Sequence, residues 1–279
     1  MGLHRIGLAL NPNNDAAREA LARAEAWCSA RGIETWDAPA GDAERIIREA
    51  PGSDLICVLG GDGTFLRTAH AIGDSRVPAL GVNLGRIGFL AKIETAELER
   101  VLGQVESGDY SVEDRFRIAA TIIRADGSET HACLNEVVLA RGSRVRVIQV
   151  EVEVSGSHLA TYVSDGVVVA TPTGSTAYSF SAGGAVLDPR LRNMIITPVA
   201  GYLSPLHSVV AGETHVVRLT LREAHDEAIV SVDGQWDLPL VPGDRVEVRA
   251  LPDPLRLIEP EGSTPFYDLL RTKAGLLPY

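Results

Sequence analysis

The chain has 279 residues, 45% of them hydrophobic, and a formal net charge of −11. Such a length suits one large or two modest domains whose core needs no staples, and such a composition excludes a disordered chain. The acidic balance argues against nucleic acid and anionic membrane as partners, and no run of about 18 apolar residues is present to span a bilayer.

Residues 1–14 contain an apolar run too short for a secretory signal, so they read as a first strand over residues 5–10, in a chain expected to be cytoplasmic. An Ala-rich helical stretch follows over residues 15–30 and stops at Gly32. Residues 33–38 form a candidate second strand, and residues 42–50 a helix that ends before Pro51. Residues 54–59 read as a strand, continuously apolar after Asp54, as when both faces are buried. Helix over 64–72, strand over 77–82 and helix over 95–106 complete an alternation that implies parallel crossover units. Residues 1–112 are therefore expected to be an α/β domain, a parallel sheet with flanking helices.

The pattern changes near Tyr110. From Arg115 to Pro260, Val/Ile/Thr-rich runs are separated by turn signals at Asp126-Gly127, Ser155-Gly156, Asp233-Gly234 and Pro242-Gly243. Gln149-Val-Glu-Val-Glu-Val alternates strictly, as a strand with one solvated face does. Residues 113–264 are expected to be a β-rich, sandwich-like domain with one helical insert near Ser175. A last helix, over residues 266–274, falls in a C-terminal segment, 265–279.

Cys28, Cys57 and Cys133 lie far apart with no C-x-x-C, and the seven histidines show no H-E-x-x-H, so no protein-held metal site is expected. Lys92 and Lys273 are the only lysines, and no G-x-x-x-x-G-K-[ST] occurs. A phosphate bound here must rely on backbone amides, arginine or a metal.

One loop fits that need. Leu59-Gly60-Gly61-Asp62-Gly63-Thr64 follows the buried strand and opens a helix. Three glycines permit positive φ and close approach of backbone N–H groups to an anion, and the helix adds its positive end. A tight turn with Asp62 capping the helix would use the same residues. Three further segments stand out: Asn83-Leu84-Gly85-Arg86-Ile87-Gly88-Phe89-Leu90, Leu134-Asn135-Glu136-Val137-Val138, and Ser164-Asp165-Gly166 running through Thr171-Pro172-Thr173-Gly174-Ser175-Thr176-Ala177-Tyr178-Ser179. An amide beside a carboxylate, as in Asn135-Glu136, suits a ribose diol, although a polar pair at a strand start looks the same. Asp165-Gly166 also fits a simple turn, and the hydroxyl-rich stretch also fits a helix cap.

The glycine loop resembles that of NAD kinases, of diacylglycerol and sphingosine kinases and of 6-phosphofructokinases. The four segments together, in order and spacing, resemble the NAD kinase family, from the Asn11-Pro12 loop to the Phe266-Tyr267-Asp268 tail. The resemblance implies an ATP-dependent transferase that phosphorylates the adenosine ribose 2′-hydroxyl of NAD to NADP. Its site would lie between two domains, the final helix would return to the first domain, and Mg²⁺ would arrive on the triphosphate. Asp62 would be the catalytic base and lie with Gly63 beside NAD. Gly60, Gly61, Gly63 and Thr64 would hold the ATP phosphates, with Arg67 approaching them from a place that a solvated helix arginine also fills. Asn135 and Glu136 would bind ribose, and Asp165 an amide or base edge. Thr173, Thr176, Ala177, Tyr178, Ser179 and Ser181 would line the dinucleotide site, with Gln235 at a further binding position. The family implies a homo-oligomer, dimer or tetramer. A lipid kinase of the same superfamily and a non-catalytic dinucleotide sensor are the alternatives. Two places depart from the family. Residues 201–208 lack its Pro-His-Ser/Thr-Leu run, and Val163 stands where arginine or glycine is usual, at a position that bears on NAD versus NADH preference; valine places no cation there to penalise one redox form, so some NADH use is expected.

Overall fold

The structure, a computed structural model, describes residues 2–85, 87–142, 146–201, 207–224 and 227–273. Its backbone forms two compact units: residues up to Asp114 together with those from Leu255 onward, and Arg115–Pro254. The first unit starts with β1 (Arg5–Leu10), α1 (Asp15–Ser29), β2 (Glu34–Pro39), α2 (Ala43–Glu49), β3 (Leu55–Leu59), α3 (Asp62–Ile72), β4 (Ala79–Asn83), β5 (Ile93–Glu94), α4 (Leu98–Ser107) and β6 (Tyr110–Arg115). Strands β1 to β4 pair in parallel. Every residue of β3 and β4 is buried, which explains their unbroken apolar runs. Helix α1 is capped by the Asn14 side chain and turns Ala17, Ala20, Ala24, Trp27 and Cys28, spaced three or four apart, onto the sheet. Helix α4 is preceded by a 3-10 turn, Thr95–Glu97, and ends at Gly108, whose φ of 88° is the left-handed stop that glycine allows.

The second unit is β7 (Ile118–Arg124), β8 (Gly127–Cys133), β9 (Glu136–Arg141), β10 (Ile148–Val154), β11 (Ser157–Ser164), β12 (Gly166–Ala170), α5 (Tyr178–Ser181), β13 (Asn193–Val199), β14 (Val209–Gly212), β15 (Val217–Glu223), β16 (Ala228–Val232), β17 (Trp236–Leu240) and β18 (Arg245–Ala250). They make two six-stranded sheets, β11-β10-β15-β18-β7-β8 and β14-β13-β12-β9-β16-β17. Ile122, Val150, Leu219 and Val246 of one share a core with Val137, Val167, Met194 and Val230 of the other, as in a sandwich. In β10 the alternation is visible as chemistry: Val150 and Val152 are buried, while Glu151 and Glu153 pair with Arg222 and Arg218. The helical insert near Ser175 is only a 3-10 turn, Gly174–Thr176, and the four-residue α5.

The chain then re-enters the first sheet. Strand β19 (Leu255–Pro260) pairs in parallel with β4, and α6 (Phe266–Lys273) follows; Ala274 lies outside the described residues. The sheet order is β2-β1-β3-β4-β19-β6, with β5 beside β4. Sequence pattern assigned residues up to 264 to the β-rich domain, because β19 reads as one more strand and its register partner is not encoded locally.

Candidate active site

The glycine loop joins β3 to α3. The Gly60 amide donates to the Val82 carbonyl, 2.9 Å away, which ties the loop to β4. The positive φ expected of these glycines is absent: Gly61 is extended, with φ −80° and ψ −176°, and Gly60 and Gly63 do not enter the left-handed region. Close approach explains Gly60 instead, since a Cβ there would sit 2.6 Å from the Thr64 side chain. A Cβ on Gly61 or Gly63 would meet nothing within 4 Å, so the backbone there is bare. Thr64 N and Phe65 N both donate to Gly61 O, at 2.9 and 3.0 Å, which leaves the amides of Asp62 and Gly63 at the start of α3 to suit an anion.

Asp62 does not cap α3; Gly61 holds the cap position without a side-chain bond. The Asp62 carboxylate is instead clasped by the following loop. Phe89 N donates to Oδ2 at 2.9 Å, and Leu90 N and Ala91 N donate to Oδ1 at 3.1 and 3.0 Å. Gly88 is dictated by this clasp, since a Cβ there would lie 1.8 Å from Asp62 Oδ1. The Phe89 ring lies 5.8 Å from that of Phe266 on α6, and Lys273 Nζ stands 5.2 Å over it. A carboxylate offers about four lone-pair sites, so three amides leave it room for about one more donor. Thr64 is buried and Arg67 half-buried, with no side-chain partner for Arg67 among the described residues. Arg86 of the second motif lies outside the described residues.

The remaining candidates lie in the second unit, and a residue that pattern assigned to a turn holds two of them. Asp233, buried, accepts from Leu134 N at Oδ2 (2.7 Å) and from Asn135 N (2.8 Å), Glu136 N (2.9 Å) and Cys133 Sγ (3.0 Å) at Oδ1. Thr171 secures the same segment from the carbonyl side: its Oγ1 donates to Leu134 O at 2.5 Å and its N to Asn135 O at 2.8 Å. Gly174 N in turn donates to Thr171 Oγ1, and a Cβ on Gly174 would lie 2.1 Å from Asn135 O. The only sequence signal for Asp233 was the Asp-Gly pair; its partners lie about a hundred residues upstream.

This bracing leaves Asn135 Oδ1, Glu136 Oε2 and Thr173 Oγ1 buried without a partner among the described residues. Burial, and then the negative charge of Asp233, push the Glu136 carboxyl up to about 8, against a weaker pull from the Tyr178 backbone. Burial likewise raises the Cys133 thiol, and the Asp233 charge adds to it. Thr176 Oγ1 turns back to Thr173 O, Ser179 Oγ pairs with Thr197 Oγ1, and Ala177, Tyr178 and Ser181 follow in the same short stretch. Tyr178 is exposed. Asp165 was expected to await a ligand's amide, yet its Oδ1 already accepts Arg141 Nε at 2.7 Å. Gln235 is exposed on the β16–β17 turn, and Val163 lies on β11 opposite Gln149. Residues 202–206, within the departing 201–208 segment, lie outside the described residues.

Comparison with known proteins covers both units. Residues 3–110 match the ATP-NAD kinase N-terminal domain, and residues 134–260 match the ATP-NAD kinase C-terminal domain. An NAD kinase of Heliobacterium modesticaldum is 38% identical over 96% of this chain and 97% of its own length. One from Nocardia farcinica is 42% identical over 85% of this chain and 75% of its own length. Among solved structures, yeast NADH kinase complexed with NADH superposes with a TM-score of 0.84 at 25% identity, covering 99% of this chain and 88% of that one. An NAD kinase from Archaeoglobus fulgidus in complex with ATP gives 0.79 at 25% identity, covering 98% and 100%. With a family model on each unit and relatives aligned nearly end to end, the chain belongs to the NAD kinase family.

Proposed function

We propose that the chain is an ATP-dependent kinase that moves the γ-phosphoryl group of ATP onto the adenosine ribose 2′-hydroxyl of NAD, giving NADP and ADP. The observation that carries the mechanism is the clasped Asp62, a carboxylate fixed by three amides at the mouth of a bare glycine loop. In this reading the triphosphate lies on the Gly60, Gly61, Gly63 and Thr64 loop, with Arg67 nearby: the amides of Gly61 and Gly63 and the start of helix α3 face it, while the amides of Gly60 and Thr64 hold the loop through Val82 O and Gly61 O. Asp62 accepts the 2′-OH proton as that oxygen attacks the γ-phosphorus in line, and the bond to the β,γ-bridging oxygen breaks to release ADP. The loop amides make Asp62 a rigid acceptor, so its contribution is placement as well as basicity. Asn135 and Glu136 offer an amide and a carboxyl to the ribose hydroxyls. Thr173, Thr176, Ala177, Tyr178, Ser179 and Ser181 receive the rest of the dinucleotide, with Asp165, braced by Arg141, and Gln235 at its edges.

Magnesium would come with the nucleotide. Among the described residues no group of three His, Cys, Asp or Glu is placed to hold a metal. When bound, it would neutralise phosphate charge. No helix among the described residues is long and apolar enough to cross a membrane, and a cytoplasmic dimer or tetramer is the state we propose; sedimentation of the purified protein checks the assembly.

The decisive assay is NADP formation from NAD and Mg²⁺–ATP, run beside Asp62→Asn. The variant should lose about 10²–10⁴-fold in kcat. Its melting temperature should also fall, because an asparagine amide turned toward three N–H donors leaves at least one of them unsatisfied. Phosphorylation of a diacylglycerol in place of NAD would favour the lipid kinase. NAD binding with no phosphoryl transfer would favour the sensor.

A further inference from the structure

We infer that Asp233 is a positioning residue for the acceptor dinucleotide: its carboxylate fixes the backbone of Leu134, Asn135 and Glu136 and thereby sets the two side chains that meet the ribose. The inference rests on the reading of Asn135 and Glu136 as ribose ligands. The turn that carries Asp233 has φ of 50° at Asp233 and 61° at Gly234, the left-handed pair that Asn-Gly and Asp-Gly favour. Gln235 N closes it onto Val232 O at 2.9 Å, within a three-residue loop between the paired Val232 and Trp236. Asparagine would make that turn equally well. Only a carboxylate accepts every donor aimed at it here, three consecutive amides and a thiol. An asparagine would offer one oxygen and turn an NH₂ group toward N–H donors.

Successive backbone amides converging on one point form an anion-binding nest. In this chain the nest is filled from within, by the buried Asp233 carboxylate. Asp233 N returns a bond to Glu136 O at 2.9 Å, so the turn and the segment are tied in both directions. With Thr171 on the Leu134 and Asn135 carbonyls, the main chain of the segment is fully engaged. What it leaves without a partner is Asn135 Oδ1 and Glu136 Oε2, the atoms a ribose diol would meet. Burying two unsatisfied acceptors is costly unless a ligand repays them. The bracing therefore serves a site, because a segment braced for stability alone would have its side chains satisfied as well.

The test compares Asp233→Asn, Asp233→Glu and Glu136→Gln with the parent enzyme. It uses initial rates with NAD and ATP varied separately, calorimetric NAD binding without ATP, and melting curves. Asp233→Asn removes an acceptor; Asp233→Glu keeps the charge and displaces it by one methylene. Both should raise the KM and the dissociation constant for NAD about tenfold to a hundredfold, with the KM for ATP within about twofold of the parent. A folded variant of either kind with unchanged NAD affinity overturns the inference. Collapse of both melting curves also overturns it, since the carboxylate would then be a foundation of the unit and not of the site. Unchanged NAD affinity and kcat/KM in Glu136→Gln marks a different failure, that of the ribose reading itself.

Discussion

At the scale of single residues, the proposed chemistry turns on three carboxyl groups in unlike surroundings. Asp62 is held by amides, Asp233 is consumed by them, and Glu136 is left buried with one oxygen unpaired. Gly88 offers a test of the first. Gly88→Ala leaves the Asp62 carboxyl chemically intact and drives a methyl into it, so kcat should drop by about 10²-fold while NAD affinity is kept. Single-turnover rates beside NAD titrations would show this, and a normal rate would mean that the clasp is incidental. Glu136 makes a prediction with a sign. Its carboxyl is raised from 4.5 in the unfolded chain to about 8 in the fold. Between those values the folded chain keeps a proton that the unfolded chain has released. The stability linked to this group is therefore complete below about pH 4.5 and is lost as pH rises through about 8. Glu136→Gln should flatten that slope and melt higher than the parent at about pH 8, by an amount on the order of a few kcal/mol in stability. Melting curves of both proteins from about pH 5 to 8 would decide it. The glycine loop and Asn135-Glu136 were legible because their chemistry is contiguous in the chain. Asp233 was not, because Asp-Gly also reads as an ordinary hairpin turn and its donors are distant. The loop glycines do not take the positive φ their residue type suggests, because bare backbone, and not left-handed backbone, is what the loop uses at Gly61 and Gly63.

At the scale of elements, periodicity located strands and helices to within a few residues and was silent on partnership. The apolar run of β3 and the alternation of β10 each announced how many of their faces are buried. The β19 run announced a strand, but nothing in Leu255–Pro260 names β4 as its neighbour. A buried ion pair accompanies that placement: Lys92 Nζ meets Glu259 Oε1 at 2.6 Å, with the side chains 7% and 14% exposed. Glu259→Ala strands a buried ammonium and should cost about 3–5 kcal/mol. Lys92→Met combined with Glu259→Leu should recover much of that loss, because two apolar side chains need no compensation. Denaturant titrations of the single and double variants measure both numbers. A double variant as unstable as the single one would show that Glu259 acts through its other neighbours. The helical insert near Ser175 is present but short: its hydroxyl residues bond their own backbone, through Thr176 and Ser175, and it amounts to a 3-10 turn and the four-residue α5.

At the scale of the whole molecule, the first unit is discontinuous, with Arg115–Pro254 inserted between its two segments. Strand β19 sits between β4 and β6, so the sheet beneath the glycine loop cannot close without it. A chain stopped at Pro254 should keep the cooperative melting of the sandwich, which has its own core, and lose that of the first unit. Scanning calorimetry would show one transition in place of the full profile, and an intact first transition would refute the dependence. The interleaving also sets an order of events on the ribosome. The early strands β1 to β4 emerge first and must wait, unclosed and apolar, while the whole sandwich is made. At about 5–20 residues per second the wait lasts roughly 7–28 s. In that interval the sandwich, whose strands are all contiguous in the chain, has time to fold and to brace Asn135 and Glu136. On the proposed reading the nascent protein would thus acquire its acceptor-binding segment before its phosphate loop is closed, and the buried faces of β3 and β4 make that waiting period the time at which a holdase chaperone has most to protect.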